Sequence, residues 1–339
     1  MEMEKKLEIT PYRTMQGHTQ AVRGVVHLPD GRQIITCSND ASLRLWDLES
    51  GAQIGNNWED DGDQAPVLTI ALSPNGKTVA SGSGGGMVKL WDIETRKVTV
   101  KCTGHADRVW SVCWSTDGMR VASGCLDGTV RVWEMESGER VLGPIKTGNQ
   151  RVLAVAYSPD SSNIATGTYL AIDIWDTTTG ERLSTLEQNC HVWSLAWTSE
   201  LIAGLSNGYI RIFNTTTWRE INRMIKDHNS TILAISLLQN GLLATASEDG
   251  TARLRILSKM GAVGPPLPHQ GSVRDVALSA DGKFLAACAN KDVYVWDTHT
   301  ILKDCGLEDL LPVPNVSVRI SSPYAFSDSN RMYAHLSAL

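Results

Sequence analysis

The sequence predicts an all-β protein built from repeated units, and two observations support this prediction. Short apolar runs end at Asp-Gly turns, the strongest short-range signal for a β-hairpin. The clearest unit runs from Thr103 to Met135 as three short strands, with turns at Asp117-Gly118 and Asp127-Gly128. The same unit recurs along the chain at intervals of about 40 residues, which is typical of repeat architectures.

The repeats align on the apolar residue that opens the first strand of each unit. Seven copies of this opening residue are present: Val22, Val67, Val109, Val152, Val192, Ile232 and Val273. The third strand of each unit ends on a residue that is most often Trp: Trp46, Trp91, Trp133, Trp175, Phe213, Arg255 and Trp296. Seven units in register indicate one array rather than separate domains.

Composition limits the classes of function. The 339 residues carry a net charge of −6, which argues against a protein that coats nucleic acid through its overall charge. No apolar run approaches the ~18 residues of a membrane span, and the N-terminus lacks the apolar segment of a secretory signal. The 7 cysteines are scattered without a CxxC pair, as expected in a reducing compartment. We therefore expect a cytoplasmic protein, with the nucleus as the alternative, and no nucleic-acid or membrane partner.

The repeats also carry specific short motifs. GHTQAV and GHADRV precede two of the first strands, and LWDLESG, LWDIETR and IWDTTTG end three of the third strands. On these motifs the chain resembles the WD40-repeat β-propeller family over roughly Met15 to Lys303, and its regular repeats are most similar to fungal sensor-type arrays. The resemblance implies a seven-bladed β-propeller of four-stranded antiparallel blades. It also implies that residues 7–14 close the ring as a strand of the last blade, which abolishes an exposed sheet edge.

We expect a single propeller over residues 1–303, followed by a C-terminal tail, 304–339, that is partly packed or irregular. The repeats are predicted at 15–54, 57–100, 103–142, 145–183, 186–221, 225–264 and 267–303. Blades four to six are expected to be the less regular part of the ring. The fourth unit is one residue short near Tyr169, and the sixth has Arg255 at the Trp position.

The family resemblance implies a structural tetrad of His, Ser or Thr, Asp and Trp in each complete blade. By spacing, two sets are complete: His18, Thr36, Asp40 and Trp46, then His105, Ser123, Asp127 and Trp133. A buried relay of hydrogen bonds would use every donor and acceptor of these side chains. A His-Ser-Asp set could also be read as a hydrolytic triad. Recurrence in several repeats favours the structural role, so we expect no catalytic residues and no enzyme.

Other candidate chemistry is less convincing. The NGKT run at Asn75–Thr78 resembles the end of a phosphate-binding loop, but it lies in a hairpin turn and lacks the first glycine. The carboxylates of residues 59–63 lack the alternating spacing of a Ca²⁺ loop, and we expect a solvated acidic loop there. The histidines of the GH motifs belong to different blades and cannot share a metal ion. We expect neither a metal nor a cofactor.

In related propellers the top face commonly binds partners through two kinds of position. One kind flanks the opening apolar residue of each first strand, and the other directly precedes the Asp of the tight turn. If the opening residue points into the core, its neighbours point the other way because strand side chains alternate. The predicted partner-binding set is Arg23, Leu68, Arg108, Trp110, Leu126, Arg151, Leu153, His191, Trp193, Leu233, Glu248 and Arg274.

This set combines Arg and Trp, which are enriched at binding hot spots. Arg also pairs with carboxylate and phosphate through its planar fork of donors. The hypothesis is a non-catalytic scaffold, monomeric on its own, that binds an acidic or phosphorylated peptide or protein with Trp110 and Trp193 as apolar anchors. Alternatively, some of these arginines satisfy neighbouring strands or pair with the acidic run at 59–63. A second functional class is a ligand-sensing module that recognises glycans or microbial surfaces.

Overall fold

The computed structural model describes residues 9–60, 62–148, 151–221, 224–238, 240–259 and 261–307. In this part of the chain, seven antiparallel sheets surround a central channel, and the innermost strand of each sheet packs against the innermost strand of the next. The predicted all-β, seven-bladed propeller is therefore confirmed. Residues 7–8 of the predicted closing strand and residues 308–339 of the predicted tail lie outside the described residues. No helix of the described chain is long and apolar enough to cross a membrane.

Each blade is a run of consecutive strands that follows the short strand β1 (Arg13–Met15). Blade 1 contains β2 (Val22–His27), β3 (Gln33–Ser38) and β4 (Leu43–Asp47). Blade 2 contains β5 (Val67–Leu72), β6 (Thr78–Ser83), β7 (Val88–Asp92) and β8 (Val98–Cys102). Blade 3 contains β9 (Val109–Trp114), β10 (Arg120–Cys125), β11 (Thr129–Glu134) and β12 (Arg140–Lys146).

The remaining blades continue the same order. Blade 4 contains β13 (Ala154–Tyr157), β14 (Asn163–Gly167), β15 (Ala171–Asp176) and β16 (Arg182–Glu187). Blade 5 contains β17 (Val192–Trp197), β18 (Glu200–Leu205), β19 (Tyr209–Asn214) and β20 (Ile225–Lys226). Blade 6 contains β21 (Ile232–Leu237), β22 (Leu242–Ser247), β23 (Thr251–Ile256) and β24 (Gly261–Pro268). Blade 7 contains β25 (Val273–Leu278), β26 (Phe284–Ala289) and β27 (Asp292–Asp297), and helix α1 (Thr298–Asp304) follows it.

The Asp-Gly turns set the ends of the strands. In blade 3, Gly118 joins β9 to β10 with φ of 70° and Gly128 joins β10 to β11 with φ of 79°. Glycine adopts this left-handed conformation without steric cost. Asp117 Oδ1 also accepts a hydrogen bond from the backbone N–H of Met119 at 2.9 Å, which closes the first turn. The turn chemistry read from the sequence is thus what separates the strands.

Side chains near the start of the innermost strands link neighbouring blades. At three seams, the second residue after the opening apolar residue accepts a hydrogen bond from a backbone N–H of the next blade's innermost strand. These bonds run from Val155 N to Ser111 Oγ (3.1 Å), from Ile235 N to Ser194 Oγ (2.9 Å) and from Val25 N to Asp275 Oδ2 (2.9 Å). The hydrophobic core lies between the blades, in clusters that each include residues of adjacent sheets.

Strand β1 closes the ring. It pairs antiparallel with β27, so that Arg13 lies opposite Val295 and Met15 lies opposite Val293. Met15 is only 1% exposed and packs in a cluster that joins blade 7 to Val22 and other residues of blade 1. The expected closure by an N-terminal strand is confirmed, with a strand shorter than the predicted 7–14 and shifted towards Met15.

The expectation that blades 4 to 6 are the less regular part of the ring is met only in part, by an innermost strand of 4 residues in blade 4 against 6 in blade 3. Blades 4 and 6 are complete four-stranded sheets. Blade 1 instead has three strands, and its fourth-strand position makes only the isolated bridges of Leu43 with Trp58 and of Trp46 with Gln53. Blade 5 is less regular as expected, because β20 spans only Ile225–Lys226. Backbone ladders depend on apolar packing along the strands, which blades 4 and 6 retain although their tetrads have diverged.

The acidic run also differs from its prediction as a solvated loop. Asp60 and Asp63 have side chains only 11% and 10% exposed, and their Oδ2 atoms lie 2.9 and 3.0 Å from Nζ of the buried Lys89. Lys101 forms a second ion pair with Asp60 at 2.8 Å. Asp63 stands four residues before the opening Val67, the register that a tetrad His occupies in blades 1 and 3. Asp60 and Asp63 therefore neutralise a buried lysine of blade 2, and neither forms an ion pair with a top-face arginine among the described residues.

Candidate partner-binding site

The tetrad of blade 1 forms a buried relay of hydrogen bonds. His18 Nε2 lies 2.8 Å from Thr36 Oγ1, and its Nδ1 lies 2.8 Å from Asp40 Oδ2. Trp46 Nε1 donates to the same Thr36 hydroxyl at 2.8 Å. The Asp40 carboxylate only accepts, so His18 donates to it through Nδ1, and the Thr36 hydroxyl, which accepts from Trp46, donates its own proton to His18 Nε2. The structure thus brings together all four residues that spacing had selected.

Blade 3 has the same arrangement. His105 Nε2 lies 2.8 Å from Ser123 Oγ, its Nδ1 lies 3.2 Å from Asp127 Oδ2, and Trp133 Nε1 donates to Ser123 at 2.8 Å. Burial lowers the pKa of His105, so the ring is neutral at pH 7. Burial alone would raise the pKa of Asp127, but hydrogen bonds from Thr129 and from the backbone of Ala106 bring it down to about 2. Ser123 is fully buried, so no substrate could reach its hydroxyl.

The diverged blades keep parts of this relay. In blade 6, His228 Nε2 lies 2.8 Å from Thr245 Oγ1 and Nδ1 lies 3.0 Å from Asp249 Oδ2. Arg255 replaces the Trp, and its Nε donates at 2.5 Å to the buried carboxylate of Asp227. A buried ion pair between Arg255 and Asp227 therefore takes the place of the indole hydrogen bond in this blade.

One group of three metal-ligand residue types lies close together in the described part of the chain. The ligand atoms of His105, Cys125 and Asp127 lie within 4.8 Å of one another. Cys125 Sγ instead donates to the carbonyl of Asp107 at 3.1 Å and accepts from the backbone N–H of Asp127 at 3.3 Å. Burial raises the pKa of Cys125 to about 12, whereas a metal ligand must be a thiolate. The hydrogen bonds of the tetrad and its turn account for this cluster.

The predicted partner-binding residues fall into an inner and an outer group. The inner group comprises the residues directly after the opening apolar residues, and all seven line a channel cavity of about 1300 Å³: Arg23, Leu68, Trp110, Leu153, Trp193, Leu233 and Arg274. The opening residues point into the sheet interfaces, so the next side chain on each strand faces the channel. Leu153 differs from the others because it is only 3% exposed and forms part of the wall.

Three inner residues form a bar across the mouth, which we define as the end of the channel where the innermost strands begin. The Cζ atom of Arg23 lies 5.3 Å from the ring centroid of Trp110, within the range of a cation–π contact. The ring centroids of Trp110 and Trp193 lie 6.1 Å apart. These residues come from blades 1, 3 and 5, so their contacts span the opening. A partner approaching this face meets an aromatic and cationic surface.

The mouth also concentrates positive charge. Burial lowers the pKa of Arg23, and the nearby charges of Arg274 and Arg108 lower it further. A guanidinium stays charged despite such a shift. Among the described residues, no carboxylate forms an ion pair with any of these three arginines. An anionic ligand would relieve their mutual repulsion.

The outer group of predicted residues lies on the rim and does not line the cavity. Leu126 N donates to the carbonyl of Arg108 at 3.0 Å, which places the pre-turn residue beside the strand flank. Glu248 N makes the same contact with Thr231 O at 3.0 Å. Arg108, Arg151 and Glu248 are exposed, and Leu126 and His191 are half-buried.

Sequence reasoning missed one residue of this rim, Tyr169. Its ring stacks on His191 at a centroid distance of 4.3 Å, and its Oη accepts a hydrogen bond from Arg151 Nη1 at 3.1 Å. The neighbouring Leu170 is 53% exposed. The available signal was the short fourth unit, where Tyr169-Leu170 replaces the usual Asp-Gly turn. The candidate site therefore has an aromatic arm that extends from the mouth over blades 4 and 5.

Comparison with known proteins agrees with this geometry. The family described as WD40, "WD domain, G-beta repeat", matches residues 9–47, 58–92, 96–134, 219–255 and 266–297. These matches cover more than half of the chain, which therefore belongs to the WD40-repeat family, whose propellers generally act as protein-interaction scaffolds. A segment of 43 residues is 44% identical to the nuclear distribution protein PAC1 of Yarrowia lipolytica. That similarity spans 13% of this chain and 10% of the length of PAC1.

Proposed function

We propose that this propeller is a non-catalytic scaffold whose mouth binds an acidic or phosphorylated segment of a protein partner. The observation that carries the proposal is the convergence of Arg23, Arg108 and Arg274 at one end of the channel without carboxylate partners. Guanidinium groups without a carboxylate partner form strong charge-assisted hydrogen bonds with carboxylate or phosphate oxygens.

The bar decides how such a segment would bind. Because Trp110 and Trp193 meet across the opening, the segment lies over the mouth and does not thread through the channel. The parts of these half-buried rings that face the channel provide apolar anchors, which is the usual role of Trp in binding hot spots. Arg151, beside Tyr169, supplies a further cation at the edge of the rim. The arrangement provides positioned charges and aromatic surface for binding.

The positive mouth contrasts with the protein as a whole, which carries a net charge of −6. A local positive patch on an acidic protein orients an anionic partner during approach. The attraction is screened at higher ionic strength because the Debye length falls to about 8 Å at physiological salt. Binding through the mouth should therefore weaken as salt is added.

We also propose that the scaffold acts as a monomer in the cytoplasm or the nucleus. The seven cysteines are all free thiols, and four of them, Cys37, Cys102, Cys125 and Cys288, are buried. Unpaired cysteines are usual in reducing compartments.

The first test combines Arg108→Glu with Trp110→Ala. The probe is a fluorescently labelled Glu-rich peptide carrying one phosphoserine, compared with a Lys-rich peptide of the same length. We expect the double variant to bind the phosphopeptide at least about tenfold more weakly, because a cation and an anchor are both lost. The wild-type protein should bind the Lys-rich peptide poorly.

Two controls accompany this test. Arg108→Glu alone changes only an exposed side chain and guards against a folding defect from the loss of Trp110. Arg140→Glu makes the same charge change on the exposed outer strand of the same blade and should leave binding intact. Equal affinity of the double variant and the wild-type protein would refute the proposal. Binding of glycans but of neither peptide would favour the ligand-sensing alternative.

A further inference from the structure

The channel cavity is asymmetric at the end opposite the mouth. From five blades it is lined by residues of the innermost strand and, at most, the following turn. Between blades 5 and 6 it extends outwards as far as Ile212 in β19 and Leu257, which follows β23. We call this extension the lower groove and define it by Trp197, Glu200, Ile221, Leu238, Leu257 and Ser258.

One lining residue of the lower groove, Trp197, is in contact with a second tryptophan. The ring of Trp197 meets that of Trp218 edge to face at a centroid distance of 5.8 Å. Trp218 has φ of 55°, a conformation that L-residues with a Cβ rarely adopt. The same turn position holds glycine in blades 1, 3 and 4, at Gly51, Gly138 and Gly180, and Arg96 in blade 2. Trp218 does not line the cavity itself, but it packs against the same core cluster as Trp197 and so acts on the groove through its contact with that ring.

The groove also has a distinctive charge. Among the described residues, Glu200 is the only charged one that lines this end of the cavity. No hydrogen bond or ion pair to its carboxylate is found among the described residues. Lys259 follows Ser258 in the chain but does not line the cavity. A carboxylate at the edge of an apolar groove favours a cationic group beside an apolar one.

We propose that the lower groove is a second docking site, for a partner segment in which a large apolar side chain is followed by Lys or Arg. The apolar side chain packs against Trp197 and Leu257, and the cation pairs with Glu200. The site lies at the opposite end of the channel from the mouth and carries the opposite charge. Two partners of opposite charge could then bind the propeller at the same time.

The test measures binding of a labelled synthetic peptide with the core Leu-Trp-Lys-Arg to the full chain. A matched peptide with the core Leu-Trp-Glu-Glu serves as the control for charge. Glu200→Lys should weaken binding of the basic peptide about tenfold, since a charge pair becomes a repulsion. Glu94→Lys, the same change at an exposed turn on the same face of blade 2, should leave binding unchanged.

A second variant examines the contact between Trp197 and Trp218. Trp218→Gly introduces the glycine that blades 1, 3 and 4 already use at this turn, so the fold is expected to persist. It should weaken the basic peptide several-fold by freeing Trp197, whereas Arg96→Gly at the equivalent turn of blade 2 should not. Arg108→Glu at the mouth should also have no effect, which separates this proposal from the first.

Three results would overturn the proposal. The first is equal affinity for the two peptides, and the second is unchanged binding by both Glu200→Lys and Trp218→Gly. The third is tighter peptide binding by a chain shortened after Leu307, which would assign the groove to the chain's own C-terminal residues rather than to a partner.

Discussion

The Thr36 hydroxyl connects two residues of blade 1 that are distant in sequence, His18 and Trp46. It accepts from Trp46 Nε1 and lies 2.8 Å from His18 Nε2, and the side chain is fully buried. Replacing it with an apolar group leaves two buried polar atoms without a partner. The cost of an unsatisfied buried group, about 1–3 kcal/mol, exceeds the net gain from a typical hydrogen bond.

We predict that Thr36→Val destabilises the protein by about 2–3 kcal/mol, measured by urea unfolding. The matched control is Thr166→Val in blade 4, where Thr166 accepts from Trp175 Nε1 at 2.9 Å but Gly148 stands at the His position. Only one buried donor is orphaned there, so the loss should be about 1 kcal/mol. Equal losses for the two variants would show that the histidine bond contributes nothing.

Among single residues, the sequence predicted the tetrads that recur in several blades. It missed the ion pairs that take the place of a tetrad in blade 2. Both complete tetrads were found because the four residue types recur at fixed spacing. The ion pairs of Lys89 with Asp60 and Asp63 were missed, because a salt bridge has no fixed spacing and reads in sequence as a solvated acidic run. One feature of the sequence could have predicted these ion pairs, because Asp63 occupies the position that a tetrad His holds in blades 1 and 3.

The seams between blades depend on single side chains of the innermost strands. Ser111 and Ser194 each accept a backbone N–H from the next blade, and Asp275 does the same between blades 7 and 1. Unlike the two serines, Asp275 accepts this hydrogen bond through an ionisable carboxyl group. Burial raises its pKa to about 7, although N–H donors of Val25 and Val276 lower it in part.

The seam between blades 7 and 1 should therefore weaken as pH rises. An unfolded Asp titrates near 3.9, so between about pH 4 and pH 7 the folded state holds the proton more strongly than the unfolded state. Stability from this group is present below about pH 4 and is lost as the pH passes through 7. We predict that Asp275→Ser, which keeps a hydroxyl acceptor, is about 1–2 kcal/mol more stable than the wild-type protein at pH 8 and has no such advantage at pH 4.

Urea unfolding of both proteins at several pH values measures this difference. Burial lowers the pKa values of His27 and His269 to about 4. Their contribution to stability therefore increases as the pH rises, opposite to that of Asp275. They are common to both proteins, so the difference between variant and wild type isolates Asp275. Ser111→Asp, the reverse exchange at the seam of blades 3 and 4, should make the stability of the protein fall with rising pH in the same way. A pH-independent difference for Asp275→Ser would contradict the prediction.

Alternation along a strand predicted which side chains face the channel, and the cavity is lined by the seven residues that follow the opening positions. Alternation does not predict what meets across the channel. The contact of Arg23 with Trp110 joins blades 1 and 3, which no local pattern connects. The lower groove was missed for the same reason, since it depends on how blades 5 and 6 pack together.

The whole ring depends on one short strand. Six of the seven sheets are built from strands that follow one another in the chain, but blade 7 takes β1 from the opposite end of the sequence. Without β1, the outer edge of β27 would present unpaired N–H and C=O groups. Exposed strand edges are templates for pairing with another molecule.

We predict that removal of residues 1–15 lowers the free energy of unfolding by about 3–5 kcal/mol and causes self-association. The loss combines the buried Met15 side chain, worth about 1.5–3 kcal/mol, with the ladder hydrogen bonds to β27, worth about 1 kcal/mol each. Unfolding by urea measures the first effect, and sedimentation at increasing protein concentration measures the second.

The control for this truncation is Met15→Ala, which removes the packing but keeps the ladder to Tyr294 and its neighbours. It should cost about 2–4 kcal/mol without self-association, because the edge of β27 stays covered. A synthetic peptide of residues 9–16 added to the truncated protein should restore the monomer, since it can pair with the open edge. If the truncated chain stayed monomeric and as stable as the wild-type protein, β1 would not be what closes the ring.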